Sequence, residues 1–162
     1  MRSFARNRCT SVEQIDEQTI RSTCRLQDTL IDAWVQIVVK LPDLEVAHVT
    51  GSITRSLRKD EIDVKEALQK VVGIRVGPGV KKIIKGVMGE SGTRGQLAFM
   101  VEECCSGVIL SFTKDVLLKR PEDETGQREF YAKMVRENPR LYNRCAAYAP
   151  GSSLIEGIDP PE

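Results

Sequence analysis

The chain is poor in aromatic residues, with four Phe, three Tyr and one Trp in 162 residues, so its core has to be aliphatic. It has a single histidine and no Cys-x-x-Cys pair, which leaves none of the ligand spacings that mark zinc or cluster sites in small domains. An excess of one charge is missing as well: 24 Lys and Arg against 23 Asp and Glu give a net charge of +1. No global field draws such a protein onto nucleic acid or an anionic membrane, so neither is expected as a partner, and any electrostatic function must come from a local patch. The basic N-terminus "MRSFARNRCTSVEQIDEQ" has no apolar run behind it, unlike an ordinary signal peptide. No stretch approaches the roughly 20 apolar residues that cross a bilayer. Five cysteines, at 9, 24, 104, 105 and 145, are an odd number and accompany no secretion signal; they read as reduced thiols of a cytoplasmic protein.

What is present is a change of hydrophobic period. In the first third, "TIRSTCRLQDT" alternates Ile20, Cys24 and Leu26 with polar neighbours, "LIDAWVQIVVKL" is rich in β-branched residues, and "LEVAHVTGSITRSL" alternates through Leu44, Val46, His48 and Thr50. Leu41, Pro42 and Asp43 make a turn between the last two, with Pro42 preset for its first corner. From Asp60 the period becomes helical. "KDEIDVKEALQKVVG" places Ile62, Ala67, Leu68 and Val71 or Val72 on one face, with acidic residues in its first turn and Gly73 where a left-handed terminator is wanted. "PGVKKIIKGVMG" carries the stripe Val80, Ile83, Ile84, Val87 and Met88, opened by Pro78 and closed near Gly89. "GQLAFMVEECCSGVILSFTKDVLLK" puts Leu97, Val101, Cys104 or Cys105 and Val108 on one face, with a break expected near Gly107. A polar acidic loop follows, then the helix "REFYAKMVREN", stopped by Asn138 and Pro139, and an irregular tail.

These patterns predict an α+β protein: an antiparallel β-meander of three to four strands packed on one face by three helices at about 60–72, 79–88 and 95–118, plus a short C-terminal helix and irregular tail. The expected organisation is a single domain over 1–162, with sheet region 1–57, helical region 60–119, acidic loop 120–127, and C-terminal helix and tail 128–162.

The most motif-like stretch is "GIRVGPGVKK". It has neither the Walker spacing nor the dinucleotide fingerprint, and a helix rather than a strand precedes it. It does offer a helix N-terminus near cations, so Arg75, Gly77, Gly79, Val80, Lys81 and Lys82 are the candidate site for a small anionic ligand bearing phosphate or carboxylate. The simpler alternative is a helix–corner–helix joint with solvated lysines. Cys104, Cys105 and Cys145 are the candidate reactive thiols. Adjacent helical residues point about 100° apart, so Cys104 and Cys105 cannot share one ion, and burial as small hydrophobes competes with any reactive role. Cys145 lies in the irregular tail near Arg140 and Arg144, which could favour a thiolate. His48 has no evident carboxylate partner for a triad. Glu102 and Glu103 interrupt an apolar helix, and whichever points inward needs a partner or a shifted pKa. No metal site, cofactor or catalytic set is predicted.

At "VVGIRVGPGVKKIIKGVMGESGTRGQLAFMVEEC" the chain resembles a bacterial family catalogued as domain of unknown function 2889. "LQDTLIDAWVQIVVKLPDLEVAHVTGSITR" is similar to that family's strand pair and "NPRLYNRCAAYAPGSSLIEG" to its terminal segment, with Cys145 at the usual cysteine. The resemblance covers the chain from about Arg8 onward and implies no established reaction. Where the family carries Gly-Cys-Thr-His-Leu, this chain reads "SGTRGQL", keeping Gly92 and Leu97 but having Thr93 and Arg94 in place of the cysteine and no histidine. "RSLRKDEID" likewise lacks the cysteine that the family has after the strand pair. The order of elements also resembles the iron–sulfur scaffold fold, but the thiolates a cluster needs are absent from the matching places. The expectation is therefore a non-catalytic binding or accessory domain, with a protein partner or homo-oligomer, such as an oligomeric subunit of a cytoplasmic enzyme system. The alternatives are the anionic-ligand site and a degenerate thiol or metal domain.

Overall fold

The computed structural model describes residues 4–57, 62–143 and 145–158. Four strands come first: β1 (Arg6–Asp16), β2 (Thr19–Asp28), β3 (Ile31–Lys40) and β4 (Glu45–Ser56), each antiparallel to the next, in the order β1-β2-β3-β4. Helices follow: α1 (Val64–Gln69), α2 (Val80–Met88), α3 (Gly92–Leu118) and α4 (Glu124–Glu137). This is the expected α+β meander with helices packed on it. The chain packs as two compact units, Met1–Thr113 and Lys114–Glu162, and their boundary falls inside α3.

Alternation makes the sheet one-sided. Ile20, Ser22, Cys24, Leu26 and Asp28 of β2 and Ile31, Ala33, Val35, Ile37 and Val39 of β3 are all buried, while the residues between them keep solvent contact or are less covered. The buried row meets Ala67, Leu68, Val71, Ile84, Met88, Leu97, Met100, Val101 and Cys104 from the helices, an aliphatic core as composition requires. The Asp28 carboxylate is enclosed at the turn between β2 and β3. It accepts hydrogen bonds from the backbone N–H of Leu30 (2.7 Å) and Ile31 (2.8 Å) and from Arg6 Nε (2.8 Å). Burial pushes its pKa up, but the Ile31 and Leu30 donors and the Arg6 guanidinium outweigh burial and hold it below the usual carboxylate value.

The expected alternation along β4 does not survive. Val39 lies opposite Val46 but Val38 lies opposite His48, so Ala47 is an extra residue, a β-bulge. The bulge turns His48 to solvent and brings Val49 into the core. At the preceding turn, where Pro42 was expected, the Leu41-Pro42 peptide is cis, and Leu44 takes a φ of 56°.

The helix boundaries also differ from expectation. α1 is shorter than the expected 60–72: Asp63 is its N-cap, accepting from Glu66 N at 2.9 Å, and the chain leaves the helix after Gln69. Asp60 and Glu61, expected in the first turn, lie outside the described residues. Gly73 is left-handed as expected, with φ 85°. In α2 only Val80, Ile84 and Met88 are buried; Ile83 and Val87, the other members of the expected stripe, are exposed.

The third helix, α3, starts at Gly92 and continues through Gly107 without the expected break. The glycine serves close packing instead. A Cβ at Gly107 would sit 3.0 Å from Thr10 Cγ2, 3.0 Å from Val12 Cγ2 and 3.3 Å from Ser22 Oγ, so α3 crosses directly above β1 and β2. By length and composition α3 also passes the threshold for a membrane-crossing helix, with a mean hydropathy of 1.2 over 18 residues, so the expectation that no stretch comes near was too strong. Of that window 44% is buried inside the protein.

In the second unit α4 begins inside the expected acidic loop. Asp123 accepts from Gly126 N at 2.6 Å as N-cap and Glu124 stands in the first turn, where the helix dipole favours an acid. The acidic residues thus start the helix rather than precede it. Ala132, Val135 and Ile155 are buried, and Tyr131 lies edge-on to Phe130 at 5.4 Å.

Candidate functional site

The glycine-rich stretch is more than a corner. After Gly73 the chain runs extended beside the start of β4: Gly73 N donates to Val46 O (2.8 Å), Val46 N to Ile74 O (2.9 Å) and Val76 N to Leu44 O (2.8 Å). Arg75 and Glu45 form an antiparallel bridge between them. Residues 74–76 therefore act as a short extra strand, and Val76 is buried as a result. Gly77 and Pro78 then turn the chain to Gly79, whose φ of 81° makes it a left-handed N-cap of α2.

This turn forms one wall of a groove of about 470 Å³. Gly77, Gly79, Val80 and Lys81 line it on one side and Cys105, Ser106, Ile109 and Leu110 of α3 on the other. Four of the six residues expected around an anion are thus brought together, while Arg75 and Lys82 do not line the groove. Arg75 Nη2 instead lies 4.0 Å from Asp43 Oδ1, both side chains exposed, on the β4 side. The Val80 N–H is engaged within the turn, donating to Gly77 O at 3.1 Å, and those of Lys82 and Ile83 both donate to Gly79 O. What the groove offers a ligand is apolar walls with the Lys81 ammonium among its lining groups.

The thiols divide into two kinds. Cys24, Cys104 and Cys105 are buried, and Cys9 and Cys145 are exposed. Burial raises the Cys104 pKa most strongly, with Cys24 nearby adding to it; its Sγ lies 3.6 Å from Val35 O, and Ser22 Oγ donates to Cys104 O at 3.0 Å. Burial, with the neighbouring Glu102 charge, pushes Cys105 up to about 12. Cys24 is raised for the same first reason. At neutral pH these three are protonated, and a protonated thiol is neither a nucleophile nor a metal ligand. Cys145 is placed at the start of a 3-10 turn, Ala146–Tyr148. Arg144, expected to assist it, lies outside the described residues, as does the Arg140 side chain.

The carboxylates of α3 part company. Glu103 reaches outward to Arg8, Oε2 to Nε 3.3 Å, while Arg8 also stacks over the Phe99 ring at 5.3 Å. Glu102 points inward, only 8% exposed, and its Oε1 is buried with no hydrogen-bond partner. Among the described residues no three His, Cys, Asp or Glu side chains converge as a metal site. Two features escaped sequence reasoning: the added strand at 74–76 and the α3 wall of the groove. The first has too short a signal, and the second depends on how two helices cross.

Comparison of the chain with protein-family models, with curated proteins and with solved structures returned no match.

Proposed function

We propose that the chain is a non-catalytic binding or accessory domain, an oligomeric subunit of a cytoplasmic enzyme system. The observation that carries this reading is the part of α3 in the first unit where Ile109, Leu110 and Phe112 are exposed. Ile83 and Val87 of α2 are exposed as well. Large apolar side chains concentrated this way gain most when a partner removes them from water. Five unpaired thiols accord with a reducing compartment. The test is mild purification of the tagged full-length chain followed by mass measurement. An assembly larger than one chain, or a stoichiometric co-purifying protein, is expected; a strictly monomeric species with no partner overturns the reading.

The groove favours a second reading, a small ligand with an apolar body and a phosphate or carboxylate next to Lys81. Inorganic phosphate, a nucleotide and an acyl-CoA are the probes. One of them should raise the melting temperature, and Lys81→Glu should abolish the shift; no shift with any of the three sinks it. The thiol alternative has less behind it, since three of the five thiols are buried and protonated.

A further inference from the structure

The sheet ends in an uncovered strand, and the partner whose chemistry fits it is a second copy of this chain. We infer that β1 pairs antiparallel with β1 of that copy about a two-fold axis at Ser11, joining two four-stranded sheets into one of eight strands. This deepens the accessory-subunit reading, on which it rests, by naming one partner and the surface it uses.

Three observations converge. The first is the edge itself. β1 is an 11-residue terminal strand, exposed along its length except for half-buried Val12, and among the described residues no strand lies on its outer side. Long unprotected edges are templates for further pairing.

The second is the order of charge. Arg6 and Arg8 occupy the first half of β1, Glu13 and Asp16 the second, and Ser11 is the middle residue. A parallel mate would set Arg8 on Arg8 and Glu13 on Glu13, whereas a fully overlapped antiparallel mate sets Arg8 opposite Gln14 and Glu13 opposite Cys9 and so avoids like charges. Within the chain Arg6 pairs with Asp28, Arg8 with Glu103 and Glu13 with Arg21. The Arg8 and Glu13 side chains stay 49% and 61% exposed, so like charges brought opposite them would repel.

The third is the spacing of the helix layer. Gly107 of α3 touches Thr10 and Val12 of β1 and Ser22 of β2, so the helix runs above the gap between these two strands. With strands about 4.8 Å apart, each helix axis lies about 2.4 Å inside its own β1, and the two copies of α3 come about 10 Å apart. That is the distance at which helices pack, roughly 8–10 Å. A groove of about 440 Å³ lies at this place, bounded by Thr10 and Val12 of β1 and by Ser106, Gly107 and Leu110 of α3. Small residues there leave room for the exposed Leu110 of the mate.

The test measures the mass of the full chain in solution. A species of twice 18.1 kDa is expected. Gln14→Arg, which sets a like charge opposite Arg8 of the mate, and Cys9→Glu, which does so opposite Glu13, should each weaken self-association about tenfold, because a two-fold repeats every change, and adding Arg8→Glu to the first should restore the wild-type affinity. Leu110→Glu, at an exposed position, should weaken it without disturbing the monomer's circular dichroism. Ser11→Cys, with Cys9 and Cys145 changed to Ser, should give a covalent dimer under a mild oxidant. A wild-type protein that stays monomeric at about 100 μM overturns the proposal, as does a dimer indifferent to all three substitutions. In either case a co-purifying partner would leave the accessory reading standing; a monomer without one would remove both.

Discussion

The two edges of the sheet are finished differently. At the β4 edge, the chain comes back after α1 and lays residues 74–76 along the start of the strand, so that Gly73 donates to Val46, Val46 to Ile74 and Val76 to Leu44. At the β1 edge no described strand comes back. α3 crosses above the strand with Gly107 against Thr10 and Val12, and Arg6 ties the strand to buried Asp28, yet the outer row of main-chain groups is left open. The same backbone chemistry is thus satisfied from within at the start of β4 and is open along the outer side of β1 among the described residues. Sheets that fold alone usually close or blunt both edges, and an open edge next to apolar helix surface is what the proposed assembly would cover.

The largest expected effect breaks the anchor of the open edge. Asp28→Ala removes a carboxylate that serves the Leu30 and Ile31 N–H groups and Arg6, and should cost about 3 kcal/mol in chemical denaturation. The same group sets a pH dependence. Its folded pKa lies below the unfolded value, so its contribution is complete above about pH 4 and is lost as pH falls through the lowered value. Asp28→Asn should therefore flatten the acid limb of the stability profile relative to wild type; an unchanged acid limb would show that Asp28 is not the group responsible.

Next in size is Gly107→Leu, which drives side-chain atoms into the contact with Thr10 and Val12 and should cost about 2 kcal/mol by overpacking. A glycine that only interrupted the helix would behave oppositely, since replacing it would raise helix propensity. At the closed edge, Val76→Ala removes buried methyl groups from the added strand and should cost about 1.5 kcal/mol. Hydrogen exchange should then accelerate at Val46 and Gly73 and not along β1. The smallest effect is at Arg75: its pair with Asp43 spans 4.0 Å between exposed side chains, so Arg75→Ala should change stability by less than about 0.5 kcal/mol.

Period-2 alternation located β2, β3 and the existence of β4, because one buried face repeats the same physical choice at every second residue. It could not locate the bulge at Ala47, since inserting one residue changes the facing of His48 and Val49 without changing composition. Helical spacing found α2 but overstated its buried stripe: Ile83 and Val87 lie beside the core-facing row, and whether they are covered depends on what packs there. Asp123 was read as loop because an acidic run is compatible with both a loop and a capped first turn. Of the candidate anion site, the turn glycines and Lys81 were legible, while the α3 wall was not, because residues 77 and 105 share no local pattern.

By itself the sequence determined the class of fold, the order of its elements and the aliphatic character of its core. These follow from local periodicity and composition, which every short window of the chain carries. Only the tertiary structure decided that residues 74–76 lie along the start of β4, that α3 stays continuous through Gly107, and that no described strand pairs with the outer side of β1. Those are contacts between segments tens of residues apart, where the gain comes from shape and distance rather than from any residue's own preference.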